Sequence, residues 1–504
     1  MKYPIATSAV IRRRDILKLS SLCVVPIAAL LLTACGSDST APNEPVSVAS
    51  LSPSSGLLAG GTTVTITGTN FIDVTDVTIG GIALGNRTVV SSTQITGTTP
   101  PATSTGPKDV VVTSNAHGSS VCSGCFSYKL VRTSQISAGS NHTCALTNAG
   151  TAYCWGSGYG GDLGNGSTAN SYVAIPVSGG MTFTTIVAGG THTCALTGAG
   201  DAYCWGLNYS GQLGTGTTDY SLVPVAVAGG LKFTTLAATG GDHTCGLVAS
   251  GAAYCWGKND AGQIGDGTTI GTSFPGRTTP VPVSGGLTFS DLNAGGYHTC
   301  GVTSGGPSYC WGLNHWGEIG NGLQGGNVLV PAAVSGGLPF TVIFAGIYHS
   351  CGLSSAGAAY CWGSNLRGQL GNGSASGPDN CPTYPNTGAC SVRPVAVVGG
   401  FHFDVLAVGH SHTCGLVAGG VAYCWGLNSN GQLGDGTTTD ASGPKAVAGG
   451  LTFKAISAGI GLYTCAITTA GAVYCWGRND VGQLGNGGTN NSAMPVAVSG
   501  WPPQ

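Results

Sequence analysis

The tripeptide Cys-Trp-Gly occurs seven times in the 504 residues of this chain, and no other feature constrains its fold as strongly. The copies begin at Cys154, Cys204, Cys255, Cys310, Cys361, Cys424 and Cys475. They follow one another at intervals of about 50 residues, and repeats of that length are typical of propellers and solenoids. We therefore expect one structural unit to be built seven times.

Each tripeptide belongs to a longer repeated unit. The unit contains a Pro-Val strand, Gly-Gly, Phe, Ala-Gly, His-Thr-Cys, a turn, Tyr-Cys-Trp-Gly and Gly-Gln-Leu-Gly. These blocks resemble the regulator of chromosome condensation repeat, whose family folds as a seven-bladed β-propeller. The resemblance covers residues 133–500 and implies an all-β ring, in which we expect the seven tryptophans to pack between blades.

The two ends of the repeat region predict how the ring closes. The first unit begins at Ile136 without a preceding Pro-Val strand, whereas the last unit ends with an additional one at Pro495 and Val496. Closure of a ring removes open sheet edges. We therefore expect the C-terminal strand to complete the blade that the first unit begins.

Every unit carries two cysteines ten positions apart. A three-residue turn at Asn148-Ala149-Gly150 would place Cys144 opposite Cys154 at a non-hydrogen-bonded position, where Cα atoms approach to about 4.5 Å. We predict disulfides, because a hairpin pair supplies two ligands and structural zinc requires four. The predicted pairs are Cys144–Cys154, Cys194–Cys204, Cys245–Cys255, Cys300–Cys310, Cys351–Cys361, Cys414–Cys424 and Cys465–Cys475.

Two insertions interrupt the repeat and are candidate partner-binding loops. The longer one, Ser374–Val392, carries Cys381 and Cys390, which we expect to be bridged, and Tyr384, a possible aromatic anchor. The shorter one, Thr268–Thr279, carries Phe274 and Arg277. Long loops in compact domains are usually functional or disordered, and a tolerated surface insertion is the alternative.

Six units place a histidine two residues before the first cysteine. These are His142, His192, His243, His298, His349 and His412, and Tyr463 takes the position in the seventh unit. Equivalent positions are spread around a ring, so a shared metal ion is disfavoured. We expect each histidine to form a hydrogen bond within its own blade, and we predict no metal and no cofactor.

Residues 1–34 read as an export signal. Arg13-Arg14-Asp15-Ile16-Leu17-Lys18 resembles the twin-arginine motif, and the apolar run Leu22–Leu32 is too short to span a bilayer as a helix. Leu32-Thr33-Ala34-Cys35 resembles the lipobox of bacterial lipoproteins, which implies cleavage before Cys35 and lipidation of its thiol. Residues 35–45 are expected to be a flexible tether. We therefore predict an exported lipoprotein of the bacterial cell envelope, at the outer membrane or cell surface.

Residues 46–130 alternate apolar and polar positions in short runs such as Val64-Thr65-Ile66-Thr67, which predicts a β-sandwich. Ser52-Pro53-Ser54-Ser55-Gly56, Gly60-Gly61-Thr62, Ile66-Thr67-Gly68-Thr69-Asn70-Phe71 and Thr99-Pro100-Pro101 resemble the immunoglobulin-like IPT/TIG family. That resemblance implies a spacer or interaction module. Its Cys122 and Cys125 form a CxxC motif for which we expect a structural disulfide, with redox chemistry and metal binding as alternatives.

Composition restricts the function. Charged residues make up 7% of the chain, which argues against a nucleic-acid binder. We find no nucleophile elbow, P-loop or zincin motif, so we predict no enzymatic activity. The leading hypothesis is a monomeric, lipid-anchored scaffold that binds a protein or glycan. The alternatives are a secreted enzyme inhibitor, as for family members that bind β-lactamases through loops on one face, and a hydrolase with an unrecognised site.

Overall fold

The computed structural model describes residues 44–57, 61–102, 106–129, 136–270, 275–382 and 387–502. These residues form two all-β parts, an N-terminal sandwich and a series of repeated sheets, as the sequence predicts. One short 3-10 helix, Tyr159–Gly161, interrupts the strands. The predicted signal segment and Cys35 lie outside the described residues.

The N-terminal part is a sandwich of two sheets with strand orders β1-β3-β7-β6 and β2-β9-β8-β4-β5. Apolar side chains of both sheets, among them Ile66, Ile95, Val77 and Val110, form one buried core. The strands are β1 Ser47–Ser52, β2 Ser55–Leu57, β3 Thr63–Thr69, β4 Val74–Ile79, β5 Ile82–Ala83, β6 Gly85–Ser91, β7 Gln94–Thr98, β8 Gly106–Ser114 and β9 Gly118–Lys129.

The CxxC motif lies at an irregularity of β9. The register between β8 and β9 shifts between Lys108 and Val110, and Cys122 and Cys125 are bonded across the bulged segment. The carboxylate of Asp109 accepts hydrogen bonds from the Ser123 hydroxyl and the Gly124 amide. A carboxylate at this position disfavours a neighbouring thiolate, which supports a structural rather than a nucleophilic role.

Seven further antiparallel sheets follow in the described residues. In six of them the strands are ordered along the chain, and in the fifth sheet an additional strand, β29, lies outside β30 at the outer edge. The first four sheets contain β10 Ile136–Ala138, β11 His142–Leu146, β12 Ala152–Gly156, β13 Ser171–Pro176; β14 Thr185–Ala188, β15 His192–Leu196, β16 Ala202–Gly206, β17 Ser221–Ala226; β18 Phe233–Ala237, β19 His243–Val248, β20 Ala253–Gly257, β21 Arg277–Pro282; and β22 Phe289–Ala294, β23 His298–Thr303, β24 Ser308–Gly312, β25 Val328–Ala333. The other three contain β26 Phe340–Ala345, β27 His349–Ser354, β28 Ala359–Ser364, β29 Asp379–Pro382, β30 Thr387–Ala396; β31 Phe403–Val408, β32 His412–Val417, β33 Ala422–Gly426, β34 Ala441–Ala446; and β35 Phe453–Gly459, β36 Tyr463–Thr468, β37 Val473–Gly477, β38 Ser492–Ala497.

The central hairpin of each sheet has the register that the sequence predicts. Gly150 adopts a φ of 82°, which glycine reaches without the steric cost of a Cβ, and the turn places Cys144 opposite Cys154. Their Cα atoms are 4.1 Å apart and their sulfur atoms are bonded. The other six ten-spaced pairs have Cα separations of 4.0 or 4.1 Å and are bonded in the same way.

One backbone carbonyl holds each pair of neighbouring sheets together. The carbonyl oxygen of Gln212 in the second sheet accepts hydrogen bonds from Trp256 Nε1 at 2.9 Å and from Thr244 Oγ1 at 3.3 Å in the third. All seven tryptophans of the repeat are buried at such joints, so the expectation that they pack between blades is confirmed. The accepting carbonyls belong to Asp162, Gln212, Gln263, Glu318, Gln369, Gln432 and Gln483.

The repeated histidines also connect neighbouring sheets. His192 Nε2 lies 2.7 Å from Thr244 Oγ1, and the other five form the same contact with a threonine or serine of the next sheet. The Thr244 hydroxyl donates its one proton to the Gln212 carbonyl, so His192 must donate from Nε2. The expectation of a hydrogen bond within one blade is wrong, because the threonine or serine that pairs with each imidazole lies in the next sheet.

The ring closes without exchange of a strand. Strand β38 pairs with β37 of its own sheet, and β10–β13 form a complete first sheet, so the predicted C-terminal closing strand is wrong. The Tyr463 hydroxyl instead donates to the His142 carbonyl at 2.6 Å, and Trp155 Nε1 donates to the Gln483 carbonyl at 3.0 Å. The sequence unit and the sheet begin at the same strand, so no strand is left over to exchange.

Trp501 completes the closure. Its ring centroid lies 5.8 Å from that of Tyr153 and 6.4 Å from that of Trp155. In the second sheet Phe183 takes the equivalent position and contacts Tyr203 and Trp205. The indole Nε1 donates to the carbonyl of Gly471, a hairpin glycine of the seventh sheet. In five other joints the backbone N–H of the phenylalanine donates to the equivalent glycine: Phe183, Phe233, Phe289, Phe403 and Phe453.

Glu318 is a buried carboxyl group where five other units have glutamine. Its Oε2 accepts the Trp316 amide at 2.7 Å, but Oε1 has no partner within the described residues. Burial raises the pKa of Glu318 to about 8. A raised folded pKa means that the stability from this group is full below its ordinary value of 4.5 and is lost as the pH rises through 8.

Glu318→Gln is therefore expected to raise the melting temperature, and the gain should grow between about pH 5 and pH 9. The stabilisation at the upper end should be about 1–3 kcal/mol, the usual cost of an unsatisfied buried polar group. Thermal melts across this pH range measure it. The matched control, Gln369→Glu, should introduce the same alkaline destabilisation, and a gain that does not depend on pH would contradict the assignment.

Candidate recognition face

The connections of the propeller lie at two opposite ends of the ring. Neighbouring strands run antiparallel, so the first connection of a sheet lies at the same end as its third. We call this end the loop face; in the first sheet it comprises residues 139–141 and 157–170. The opposite end, the hairpin face, holds the tight turns and the links between sheets, and the chain enters the propeller there at Ile136.

Four strongly exposed tyrosines lie on the loop face of the first two sheets. Tyr159 is 66% exposed, Tyr172 44%, Tyr209 59% and Tyr220 55%. Among the described propeller residues, no other aromatic side chain with this degree of exposure was found. Tyr159, Tyr209 and Tyr220 belong to loops rich in glycine, serine, threonine and asparagine, and Tyr172 lies at the start of β13. These four tyrosines, which we call the tyrosine patch, were not predicted from the sequence. Both Tyr159 and Tyr209 nevertheless occupy a repeat position whose residue changes from unit to unit.

Buried amide side chains fix the conformation of these long loops. Asn208 Oδ1 accepts the Leu213 amide at 2.9 Å, while Nδ2 donates to the carbonyls of Thr217 and Asp219. Gln212 Oε1 accepts the Ser210 amide. The same asparagine recurs in five further units, as Asn259, Asn314, Asn365, Asn428 and Asn479. Loops held in this way lose little conformational entropy when a partner binds.

An arc of aromatic rings surrounds the ring axis on the loop face. Tyr297 and Tyr348 are stacked with ring centroids 6.4 Å apart, and His410 meets Tyr348 edge to face at 5.5 Å. Lys258 Nζ lies 5.2 Å from the Tyr297 ring centroid and 3.2 Å from the Asp260 carboxylate. All four side chains of the arc are half-buried. Burial raises the pKa of Tyr348 and lowers that of His410.

Part of the long insertion forms a hairpin on the loop face. Cys381 of β29 and Cys390 of β30 are bonded and fully buried. The hairpin lies over the half-buried Trp316, whose ring is in contact distance of Gly388. Tyr384 lies outside the described residues, so its role as an anchor stays a prediction.

Arg277 of the shorter insertion is occupied within the chain. Its Nε donates to Asp266 Oδ2 at 2.7 Å and its NH2 group donates to Thr268 Oγ1 at 3.0 Å. The ion pair fixes the base of the insertion beside β21. The Arg277 side chain remains 36% exposed, so its role in partner binding stays a prediction. Phe274 lies outside the described residues.

A channel of about 1130 Å³ runs along the ring axis, lined by the first strand of all seven sheets. Ile460 of the seventh sheet contacts Gly240 of the third, where an added Cβ would lie only 2.4 Å from the isoleucine. The cavity ends at the neighbouring residues Thr239 and Ala458. This contact crosses the channel at its loop-face end.

The buried histidines of the repeat have a structural role. The Nδ1 atoms of the six repeated histidines have no hydrogen-bond partner among the described residues. Burial lowers the pKa of His142 to about 4 and those of the other five to about 3, so they are neutral near pH 7. In the same residues, no group of three His, Cys, Asp or Glu is placed to hold a metal ion. Within the parts of the chain described, we find no helix suited by length and hydropathy to span a bilayer.

Comparisons with known proteins agree with this architecture. A model of the regulator of chromosome condensation (RCC1) repeat matches residues 149–196, 199–247, 250–302, 419–467 and 470–502, and a second model of that repeat matches 134–161, 183–212, 234–263, 340–369, 405–432 and 453–483. Together these matches cover more than half of the chain. An IPT/TIG domain model matches residues 45–129.

Individual relatives share the propeller alone. The human E3 ubiquitin-protein ligase HERC2 is 28% identical over 274 residues, which are 52% of this chain and 5% of HERC2. The Arabidopsis thaliana ultraviolet-B receptor UVR8 is 30% identical over 265 residues, 51% of this chain and 56% of the receptor. The chain thus spans a small part of the first relative and about half of the second.

Solved structures support the fold. Prp20p of Saccharomyces cerevisiae superposes with a TM-score of 0.59 at 21% identity, covering 70% of this chain and 87% of Prp20p. Human WBSCR16 superposes with a TM-score of 0.61 at 18% identity, covering 69% of this chain and 94% of WBSCR16. The repeated sheets and these matches show that the chain belongs to the RCC1 repeat family and carries an IPT/TIG domain ahead of its propeller.

Proposed function

We propose that this protein is a non-enzymatic binding scaffold, anchored by lipid outside the cytoplasm, that recognises a partner through the loop face of its propeller. The exposed tyrosines carry the proposal, since Tyr159, Tyr172, Tyr209 and Tyr220 all lie on one face of a rigid ring. Tyrosine offers large amphipathic contact area at low entropic cost, and loops of tyrosine, serine, glycine and asparagine are typical of antibody paratopes.

Export is supported by the cysteines. Nine bonded pairs occur in the described residues, eight of them in the propeller. Disulfides persist in oxidising compartments and are rare in the cytosol. The propeller relatives carry other roles: Prp20p has binding properties toward Gsp1p and histones, and HERC2 is a ubiquitin-protein ligase. Those roles belong to proteins that share only a fold or a small segment with this chain.

The position of the sandwich supports the loop face as the recognition surface. The chain enters the propeller on the hairpin face, and Lys129 is separated from Ile136 by at most about 25 Å of extended chain. The sandwich is therefore attached at the hairpin face. The loop face is free of this attachment and is the face that we propose for external partners.

The partner is tested by capture from an envelope extract. The immobilised protein should retain at least one protein, and the double variant Tyr159→Ser/Tyr209→Ser should lose it without a change in melting temperature. The matched control, Val421→Ser, removes an exposed apolar side chain on the hairpin face and should retain the partner. Equal capture by both variants would exclude the tyrosine patch, and an enzyme retained in equimolar amount and inhibited would indicate the inhibitor role.

The anchor is tested by Cys35→Ser. Loss of the lipid-bearing thiol is expected to move the protein from the membrane pellet to the soluble fraction, because acyl chains rather than a spanning helix would hold it there. Fractionation with immunoblotting measures the shift. Ala34→Ser keeps the thiol and serves as a control for general effects on export. An unchanged distribution of Cys35→Ser would refute the lipoprotein assignment.

A further inference from the structure

The arc of Lys258, Tyr297, Tyr348 and His410 differs from the tyrosine patch in position. Its aromatic residues lie in the short first connections, for example Tyr297 in 295–297 and Tyr348 in 346–348, on the same face as the Ile460–Gly240 contact. The third connections around it are much longer, for example 313–327. The arc and its neighbours Asp242 and Asp260 therefore form a recess at the ring axis, which we call the central basin.

The basin offers stacked rings beside hydrogen-bonding groups. The Tyr297 and Tyr348 rings are stacked with their planes inclined by 29°, so one ring supports the other and an outer face of the pair can receive a ligand. Neither phenol hydroxyl has a hydrogen-bond partner among the described residues, so both are available to a ligand. Asp242 lies near Lys258 and accepts a hydrogen bond from Thr191 at 3.0 Å, which leaves further lone pairs on its carboxyl group.

The charges of the basin favour a neutral ligand. Lys258 is its cation and is already paired with Asp260, while it also faces the Tyr297 ring. An anionic polymer would meet Asp242 and Asp260 without a free cation to offset them. A cationic ligand would compete with Lys258 for the same carboxylate.

These features point to one class of ligand. A sugar ring has an apolar face of C–H groups, which packs on an aromatic ring, and an edge of hydroxyls, which pair with carboxylates and phenols. A recess behind projecting loops admits a narrow chain more readily than a flat protein surface. We propose that the central basin binds a neutral oligosaccharide stacked on Tyr297 and Tyr348, an inference that rests on the loop face being the recognition face.

Affinity electrophoresis tests the proposal on the protein with both its sandwich and its propeller. Native gels containing soluble β-glucan, xylan or galactomannan should retard migration in at least one case. Tyr348→Ala and Tyr297→Ala should each weaken the binding roughly tenfold, as expected for loss of one stacking ring. Tyr348→Phe keeps the ring and should retain most of the retardation, and equal melting temperatures would show that the variants fold.

The controls separate this proposal from the wider one. Tyr209→Ala lies on the same face outside the basin and should leave retardation unchanged. Normal migration in all three neutral gels, unchanged binding by Tyr348→Ala, or retardation in alginate alone would each overturn the oligosaccharide assignment. In those cases capture of a protein through Tyr159 and Tyr209 would still support the binding scaffold, so the two proposals fail independently.

Discussion

Between about pH 6.5 and pH 4 the propeller is expected to lose most of its stability. Six buried histidines have folded pKa values of about 3 or 4, below the ordinary value of 6.5. The stability from each is full above 6.5 and is lost as the pH falls toward the folded value, because the unfolded chain takes up the proton first.

Three buried carboxyl groups act in the opposite direction. Burial raises the pKa of Glu318 to about 8 and also raises those of Asp162 and Asp242. They offset at most three of the six protons, which leaves about 4 kcal/mol per pH unit. Two pH units thus correspond to about 8 kcal/mol, comparable with the entire stability of an ordinary domain.

Denaturant titrations followed by tryptophan fluorescence measure this dependence. The midpoint should fall steeply below about pH 6.5. His192→Gln keeps a donor toward Thr244 but cannot take up a proton, so it should reduce the slope by about one proton. The same change at His402, an exposed residue outside the joints, should leave the slope as it is in the parent. A midpoint that stays constant from pH 7 to pH 5 would contradict the role assigned to the histidines.

Trp501→Ala is expected to destabilise the whole ring by up to about 3 kcal/mol, the lower end of the cost of truncating a large aromatic, because the indole is half-buried. The indole contacts Tyr153 and Trp155 of the first sheet and donates to Gly471 of the seventh, so its loss weakens both sides of the seam. Thermal melting measures the effect. Disulfide-intact protein must be used, so that the seam alone is compared.

Two further variants distinguish ring closure from local packing. Trp501→Phe should recover most of the stability, because phenylalanine fills the equivalent place in the second sheet through Phe183. Trp316→Ala removes a half-buried indole far from the seam and should have a smaller effect. If Trp501→Ala melts like the parent, the seam is not held by this residue.

The sequence predicted what depends on neighbours along the chain. The spacing of Cys144 and Cys154 around Gly150 determines the hairpin register, because a turn of known length leaves one pairing. The partner of His192 lies on Thr244, in the next unit, and no local pattern distinguishes it from a partner within the blade. Local pattern therefore predicted the blade but not the joints between blades.

The repeat pattern at the end of the chain led to a wrong prediction of how the ring closes. The additional Pro-Val segment indicated an exchanged strand, but each sheet begins and ends with its own unit. The informative feature was the absence of a Gly-Gly-x-x-Phe block before Ile136 together with the single Trp501 after the last unit. The candidate site was also predicted only in part. The insertions were visible as irregular spacing, but the exposure of Tyr159 and Tyr209 depends on packing around the ring.

Tyr463 makes one joint of the ring different in kind. A phenol takes up no proton in acid, so its hydroxyl bond to the His142 carbonyl survives where the imidazole joints fail. Acid unzipping should therefore start at an interior joint and not where the two chain ends meet. The first part to unfold would be a group of interior blades that stays covalently connected at both ends, while the first and seventh sheets remain in contact.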